Sequence, residues 1–571
     1  MTVFQRGRGT RPGALPPITA ARALLSALLS ALLSSMLAAC GGGGDAPAAT
    51  ANPAPVSTRL RGDPLFQYQW HLVNTGQLVR PDRLWRATPG VDINVAPVWK
   101  QGLDGHGVTV AVVDDGIEVG HEDLRANIAS GLSRNYQTGG GDPTPSIEET
   151  AHGTSVAGVI AAARNDSGGI GVAPAAKLAG ANLLLSKHES DLVDALGLGI
   201  ADGRIAVSNN SWGSVNMAMP GMREVMAEEI VRKGVDEGRN GKGIVYVFAA
   251  GNGNIDFEES TQPRPPHYGW SNFDRFQPTQ VLTVCAVNAN GVASAYSSNG
   301  SNLLVCAPSD DMPDAQAVPQ GPGITTTKPY GKYTHEFGGT SAATPVVSGV
   351  VALILQANPG LSWRDVRLVL ARTARILPSM ESDPAANWIA TGATNPYTGN
   401  PYRYSTRYGF GLVDADAAVS YAQRFESVGG STAAFWKQGC SGSVIEDKHA
   451  AAARGNVERT IKMSCGNRAV EFLEADIALE HPNFRALRVT LESPRGTQLV
   501  LSREYSHCTA SYEKYGMPAE ACSTEMFDHR YRTHAVTALD EPMSGDWTLR
   551  IEDALNTGEP IRLRSAALGI Y

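Results

Sequence analysis

The stretch that most constrains the fold runs from Phe337 to Gln356 and reads Phe-Gly-Gly-Thr-Ser-Ala-Ala-Thr-Pro-Val-Val-Ser-Gly-Val-Val-Ala-Leu-Ile-Leu-Gln. A double glycine opens it, giving the backbone conformations that other residues avoid. From Val346 to Leu355 every face is apolar or small, so a helix here needs a large domain closed around it. Asn358-Pro359-Gly360 stops that helix, and Pro345 is expected inside its first turn, where a missing N–H costs nothing. Ser341 falls where the chain changes direction, beside the unpaired N–H groups of a helix N-terminus. The position suits a nucleophile whose reaction builds an oxyanion. It equally suits a capping serine, and the rest of the chain has to decide.

Three apolar runs end in polar or glycine-rich loops. Val108 to Val113 is β-branched and nearly continuous, as buried parallel strands are, and leads into Asp114-Asp115-Gly116. Ile205-Ala206-Val207 leads into Ser208-Asn209-Asn210-Ser211-Trp212-Gly213, and Ile244 to Phe248 into Ala249-Ala250-Gly251-Asn252-Gly253. Between the first two lies Ala151-His152-Gly153-Thr154-Ser155-Val156-Ala157-Gly158, whose small residues suit a closely packed helix. Strands alternating with helix-like segments predict a doubly wound α/β sheet, with ligands beyond the carboxyl ends of the strands.

Val-Val-Asp-Asp-Gly, His-Gly-Thr-Ser-Val-Ala-Gly, Ala-Gly-Asn-Gly and Gly-Thr-Ser-Ala-Ala-Thr-Pro, in that order, resemble the subtilisin-type serine proteases. The opening Asp63-Pro64-Leu65-Phe66, the doublet Asp114-Asp115 and Asn358 to Val366 are similar to the kexin/furin branch. The resemblance implies a serine endopeptidase acting on protein or peptide substrates. Ser341 attacks the scissile carbonyl, His152 takes and returns the proton, and Asp114 orients the imidazole. Asn252 and the Ser341 backbone N–H bind the oxyanion. Ser211 and Gly213 hold extended substrate through their backbone. Asp115 matches the acid of the penultimate-residue pocket. Asn216 stands where the branch has a carboxylate for a basic primary residue, so paired-basic and broader preferences both stay open; Asp256, Glu258, Glu259 or Asp274 could compensate. The resemblance also implies structural Ca²⁺ held by Asp63, Asp123 and the Asn165-Asp166 loop through Asp166, since hard oxygen ligands suit that ion. A second acidic group, Asp142, Glu148 and Glu149, reads equally as a solvated loop.

Arg6, Arg8 and Arg11 precede an apolar run from about Ala23 to Ala39, the layout of an export signal. It ends in Leu37-Ala38-Ala39-Cys40-Gly41, which resembles a bacterial lipobox. Residues 1–40 are then a signal peptide, Cys40 is lipidated, and 41–60 form a tether. The implied address is the outer membrane of a Gram-negative-type bacterium, with a periplasmic or secreted form as the alternative. The tether leaves no room for a folded pro-domain, which points to a folding helper protein. Of seven cysteines, lipidation of Cys40 leaves an even number, as an oxidising compartment favours. Proximity pairs Cys285 with Cys306, Cys440 with Cys465 and Cys508 with Cys522; other connectivities and free thiols stay open.

Residues 61–425 are expected to form the peptidase domain, with Ser427 to Ser431 as a linker. Beyond it strand signals dominate. Leu487 to Leu501 reads as two strands about a Pro494–Gly496 turn, and Gly545 to Asp553 alternates strictly. Both segments look like the kexin P domain, an all-β jelly-roll sandwich over 431–571. The net charge of -8 gives no basic surface for nucleic acid. The competing reading is a surface-attached binding protein with an inactive protease fold.

Overall fold

Strand β1, Thr109–Asp114, is the pivot of the first domain in the computed structural model, which describes residues 62–145, 152–186, 188–213, 223–254, 269–311, 321–378, 387–445, 453–504 and 529–571. Seven parallel strands pair in the order β2-β3-β1-β4-β5-β6-β7. The other six are β2 (Arg134–Asn135), β3 (Lys177–Asn182), β4 (Val207–Asn210), β5 (Val245–Ala249), β6 (Leu282–Val287) and β7 (Leu303–Pro308). After β1 the chain runs to β2 and β3 on one side, then crosses back to β4 on the other. The carboxyl end of β1 therefore opens a crevice at the point of reversal.

The helix read from Phe337–Gln356 is α5, Thr340–Ala357, with Thr340 and every residue from Ala342 to Leu355 buried. It follows a hairpin of β8 (Ile324–Lys328) and β9 (Lys332–Phe337). Pro345 is its sixth residue and not within the first turn, which corrects the expectation. Proline offers no N–H to the Ser341 carbonyl, and Ser211 Oγ donates to that carbonyl instead at 3.0 Å. β4 also differs from its reading, because Ser208, Asn209 and Asn210 lie in the strand and are buried. They are affordable there because they are bonded: Asn209 Oδ1 accepts from Ser348 Oγ of α5 at 2.8 Å, and Asn210 Nδ2 donates to Ser208 at 3.1 Å.

The C-terminal domain is a pair of antiparallel sheets. One contains β12 (Cys440–Ile445), β20 (Pro560–Ile570), β15 (Leu473–Glu480) and β18 (Arg530–Ala535), with β13 (Ala453–Arg454) also on β20. The other is β14 (Asn456–Met463), β19 (Gly545–Asp553), β16 (Leu487–Glu492) and β17 (Gln498–Ser502). Their inward residues, from Val457 to Ile570, form one apolar core.

The two domains share side chains. Trp270 and Phe273 of the first are buried in the core of the second, and Trp270 Nε1 donates to Leu501 O at 2.9 Å. In return Phe472, Val536 and Leu539 join the core of the first. Arg372 reaches both oxygens of Asp540 at 2.9 Å. The expected linker is strapped down: Val428 N donates to Asp365 Oδ1 at 2.8 Å, and buried Ser431 bonds Trp363 and Asp236. Disulfides join Cys285 to Cys306, opposite one another on β6 and β7, and Cys440 to Cys465. Cys508 and Cys522 lie outside the described residues, as do Cys40 and the rest of 1–61.

Candidate active site

Helix α2, His152–Ala161, begins at the imidazole and packs its small residues under β1. Gly153 is required there, since a Cβ would fall 2.2 Å from the Gly116 carbonyl. His152 Nδ1 lies 2.9 Å from Asp114 Oδ1 and 3.1 Å from Oδ2. Asp114 ends β1, is fully buried, and also accepts from the Asp115 N–H at 2.8 Å. Burial lowers the His152 pKa, but the charge and hydrogen bond of Asp114, helped by Asp115, carry it above the ordinary 6.5. With Nδ1 turned to Asp114, Nε2 is the nitrogen left for proton transfer. Phe337 stands edge-on to the ring, 5.3 Å between centroids.

Ser341 is the second residue of α5. The chain reaches it through Gly339, whose φ of 75° is a conformation suited to glycine. Ser341 Oγ donates to Ser211 O at 3.0 Å, so in this geometry the hydroxyl rests on β4's exit loop. Catalytic hydrogen bonds of this kind commonly tighten only with substrate bound. Asn252 follows β5. Its Oδ1 accepts from the backbone N–H and the hydroxyl of Thr340, at 2.9 and 2.8 Å. That fixes the amide and leaves its NH₂ end on the Ser341 side of the crevice, 3.0 Å from where a Gly339 Cβ would sit. Thr340 is the part of this arrangement the sequence reading missed; the Gly-Thr-Ser order was the available signal. It missed too that the Ser211 side chain, and not only its backbone, serves the site.

Asp115 is placed differently from a free pocket acid. Its Oδ2 accepts from His152 N at 2.9 Å and its Oδ1 from Gly153 N at 2.7 Å. It therefore caps α2, as anionic side chains at a helix N-terminus do. Burial, and then the charge of Asp114, push its pKa up to about 6. Gly213 is half-buried beyond Ser211, and Trp212 between them donates to Val113 O at 2.9 Å. Asn216, Asp256, Glu258 and Glu259 fall outside the described residues. Asp274 is buried and holds the Phe276 N–H at 3.0 Å, so it is committed to a turn.

Among the described residues no three His, Cys, Asp or Glu side chains gather as a metal cage. Asp63 and Asp123 nonetheless hold the same residue. Asp63 Oδ1 accepts from Asn165 N at 3.0 Å and Asp123 Oδ1 from Asn165 Nδ2 at 3.2 Å. Asp63 Oδ2 is buried with no partner, an atom that a cation would satisfy. Burial raises the pKa of both, Asp123 to about 6. Two carboxylates and one polar loop fit a hard cation, and the Asp166 charge adds to the rise in the Asp63 pKa.

The Asp–His pair, the serine opening a buried helix and the fixed amide each stand just beyond a strand end or at a helix start. The chain belongs to the subtilase family, whose model matches residues 105–411, and residues 470–570 match the proprotein convertase P-domain. Neuroendocrine convertase 2 of Sus scrofa is 31% identical over 453 residues, 77% of this chain and 65% of that protein. A dibasic-processing endoprotease of Schizosaccharomyces pombe is 31% identical over 86% of this chain and 63% of its own length. The chain thus spans about two thirds of the length of these curated relatives. Among solved structures, the serine protease of Aeromonas sobria aligns with a TM-score of 0.75 at 26% identity, over 92% of this chain and 98% of that one. The same enzyme in complex with a chaperone aligns at 0.73, over 89% and 95%.

Proposed function

We propose that the protein is a serine endopeptidase. The observation that carries this reading is the 2.9 Å contact between His152 and a fully buried Asp114, at the crevice into which α5 presents Ser341. Asp114 holds the imidazole with Nδ1 protonated, so Nε2 is the base. On substrate binding the Ser341 hydroxyl leaves Ser211, gives its proton to Nε2 and attacks the scissile carbonyl. The negative oxygen is met by the Asn252 amide and the Ser341 backbone N–H. His152 then protonates the leaving amine, and water repeats the sequence on the acyl-enzyme. Asp115 keeps α2, and with it His152, in register.

For substrate class, the relatives named for convertase and dibasic processing favour cleavage after basic residues. With Asp115 engaged by backbone amides and Asn216 neutral, the charge for a basic side chain would come from Asp256, Glu258 and Glu259. Asp63, Asp123 and the Asn165–Asp166 loop would hold Ca²⁺, which would tie the first described residues to that loop. The sequence of residues 1–40 supports export and lipidation at Cys40. A folding helper is supported by the chaperone complex of the Aeromonas enzyme. Profiling of cleavage sites on a peptide library, with and without a chelator, tests the reading. Cleavage by wild type and none by Ser341→Ala is expected; no cleavage by folded wild type would leave the binding-protein alternative.

A further inference from the structure

Behind the nucleophile turn lies a polar cluster that the mechanism does not use. It consists of Tyr296, Ser309 and Asp310, with Arg407 beneath. Asp310 is half-buried, with Oδ1 accepting from the Gly339 N–H at 2.9 Å and from the Tyr296 hydroxyl at 2.6 Å. Ser309 Oγ donates to the Gly339 carbonyl at 2.7 Å. The next peptide is pinned from the opposite side, where Thr340 N donates to Asn252 Oδ1 at 2.9 Å. Both peptide units flanking Gly339 are therefore held in place. Asp310 also explains the second glycine: a Cβ on Gly338 would lie 2.0 Å from its carboxyl group.

The segment that supplies Tyr296 braces the other half of the oxyanion site. Tyr296 O and Ala295 O accept from the backbone and side-chain amides of Asn254 at 3.0 and 2.9 Å. Ser298 N donates to Gly251 O at 2.9 Å, and Gly253 N donates to Ser298 Oγ at 3.1 Å. Asn252 is thus clamped on both flanks by residues 295–298. Arg407, 6% exposed, donates to the carbonyls of Ser294, Ala295 and Ser297. One buried guanidinium anchors the loop on which both oxyanion donors depend.

We propose that Tyr296 and Asp310 are positioning residues for catalysis, setting the Gly339 turn so that the Ser341 N–H and the Asn252 amide converge on one point. The proposal rests on the endopeptidase reading. Its physical basis is that oxyanion stabilisation requires donors fixed before the charge develops, and that misplacement by about 1 Å can cost on the order of 10²-fold. A purely structural role would lower stability and leave the turnover of the folded enzyme unchanged.

The test uses the full chain with Tyr296→Phe, which removes one oxygen, and Asp310→Asn, which keeps the shape. Turnover is expected to fall about 10-fold and about 100-fold respectively, the latter approaching loss of an oxyanion donor. KM should stay within about two-fold, and the rate of fluorophosphonate labelling at Ser341 should fall in parallel with turnover. Gly338→Ala, which displaces the carboxyl group, is expected to behave like Asp310→Asn. Turnover within two-fold of wild type in both Tyr296→Phe and Asp310→Asn would overturn the proposal, as would losses confined to KM. If Asp310→Asn does not fold, Tyr296→Phe decides alone. Wild type that is not labelled would instead remove the endopeptidase reading.

Discussion

The two domains bury their strands in opposite ways. In the peptidase domain β5, β6 and β7 are buried at every residue, because helices cover both faces of a parallel sheet. In the C-terminal domain β15, β16 and β19 alternate buried and half-buried residues, as strands with one face on a core do. The covered sheet can hold polar side chains within a strand only where they find partners, as in β4, and Asp114, Ser211 and Asn252 stand where strands end. None of the candidate reacting groups lies in the sandwich. It contributes Phe472, Val536 and Leu539 to its neighbour's core and receives Trp270 and Phe273 in exchange. The candidate site therefore lies in the first domain, which the second meets through packing.

Substitutions sharpen that division by separating losses of rate from losses of stability. The largest rate effect short of removing the nucleophile is expected from Asp114→Asn. It leaves the fold in place but presents the wrong imidazole tautomer, and turnover should fall about 10⁴-fold, measured under substrate saturation. Asn252→Ala should cost about 10²–10³-fold in turnover with little change in melting temperature. Arg372→Met should do the reverse. It strands a largely buried Asp540 that otherwise accepts from Arg372 and from the Tyr402 hydroxyl at 2.5 Å. Chemical denaturation should show a loss of about 3–5 kcal/mol, with turnover of the folded fraction intact. A comparable fall in turnover would mean that the sandwich does more than support.

The smallest effect concerns pH. Asp115 helps to hold the His152 pKa above 6.5, so Asp115→Asn should move the acid limb of kcat/KM to lower pH. Stability follows a separate rule. The folded-state pKa of Asp115, about 6, lies above its ordinary 3.8. Its contribution is therefore complete below 3.8 and lost as pH rises through about 6. Across that window the stability difference between Asp115→Asn and wild type should shift in the variant's favour, as thermal melts at several pH values would show.

Much of this site was legible because each group sits in its own local signal. Val108 to Val113 runs into Asp114, small residues follow His152, and a glycine turn precedes Ser341. The buried polar stretch of β4 was read as loop, because Ser208, Asn209 and Asn210 look solvated until Ser348 of α5 supplies a partner 139 residues away. β3, β6 and β7 lead into no recognisable motif, so nothing in the sequence sets them apart from other apolar runs. Asp310 and Tyr296 are invisible in sequence for a related reason: nothing adjacent to either points to Gly339. The linker at Ser427–Ser431 was judged by composition alone, while its order comes from Asp365, Trp363 and Asp236.

The most direct measurement is labelling of the purified full chain by a fluorophosphonate probe in the presence of calcium. Stoichiometric labelling of wild type, none of Ser341→Ala and strongly slowed labelling of Asp114→Asn are expected. A folded wild-type sample that takes up no label, or label that persists in Ser341→Ala, would contradict the assignment of Ser341 as the nucleophile.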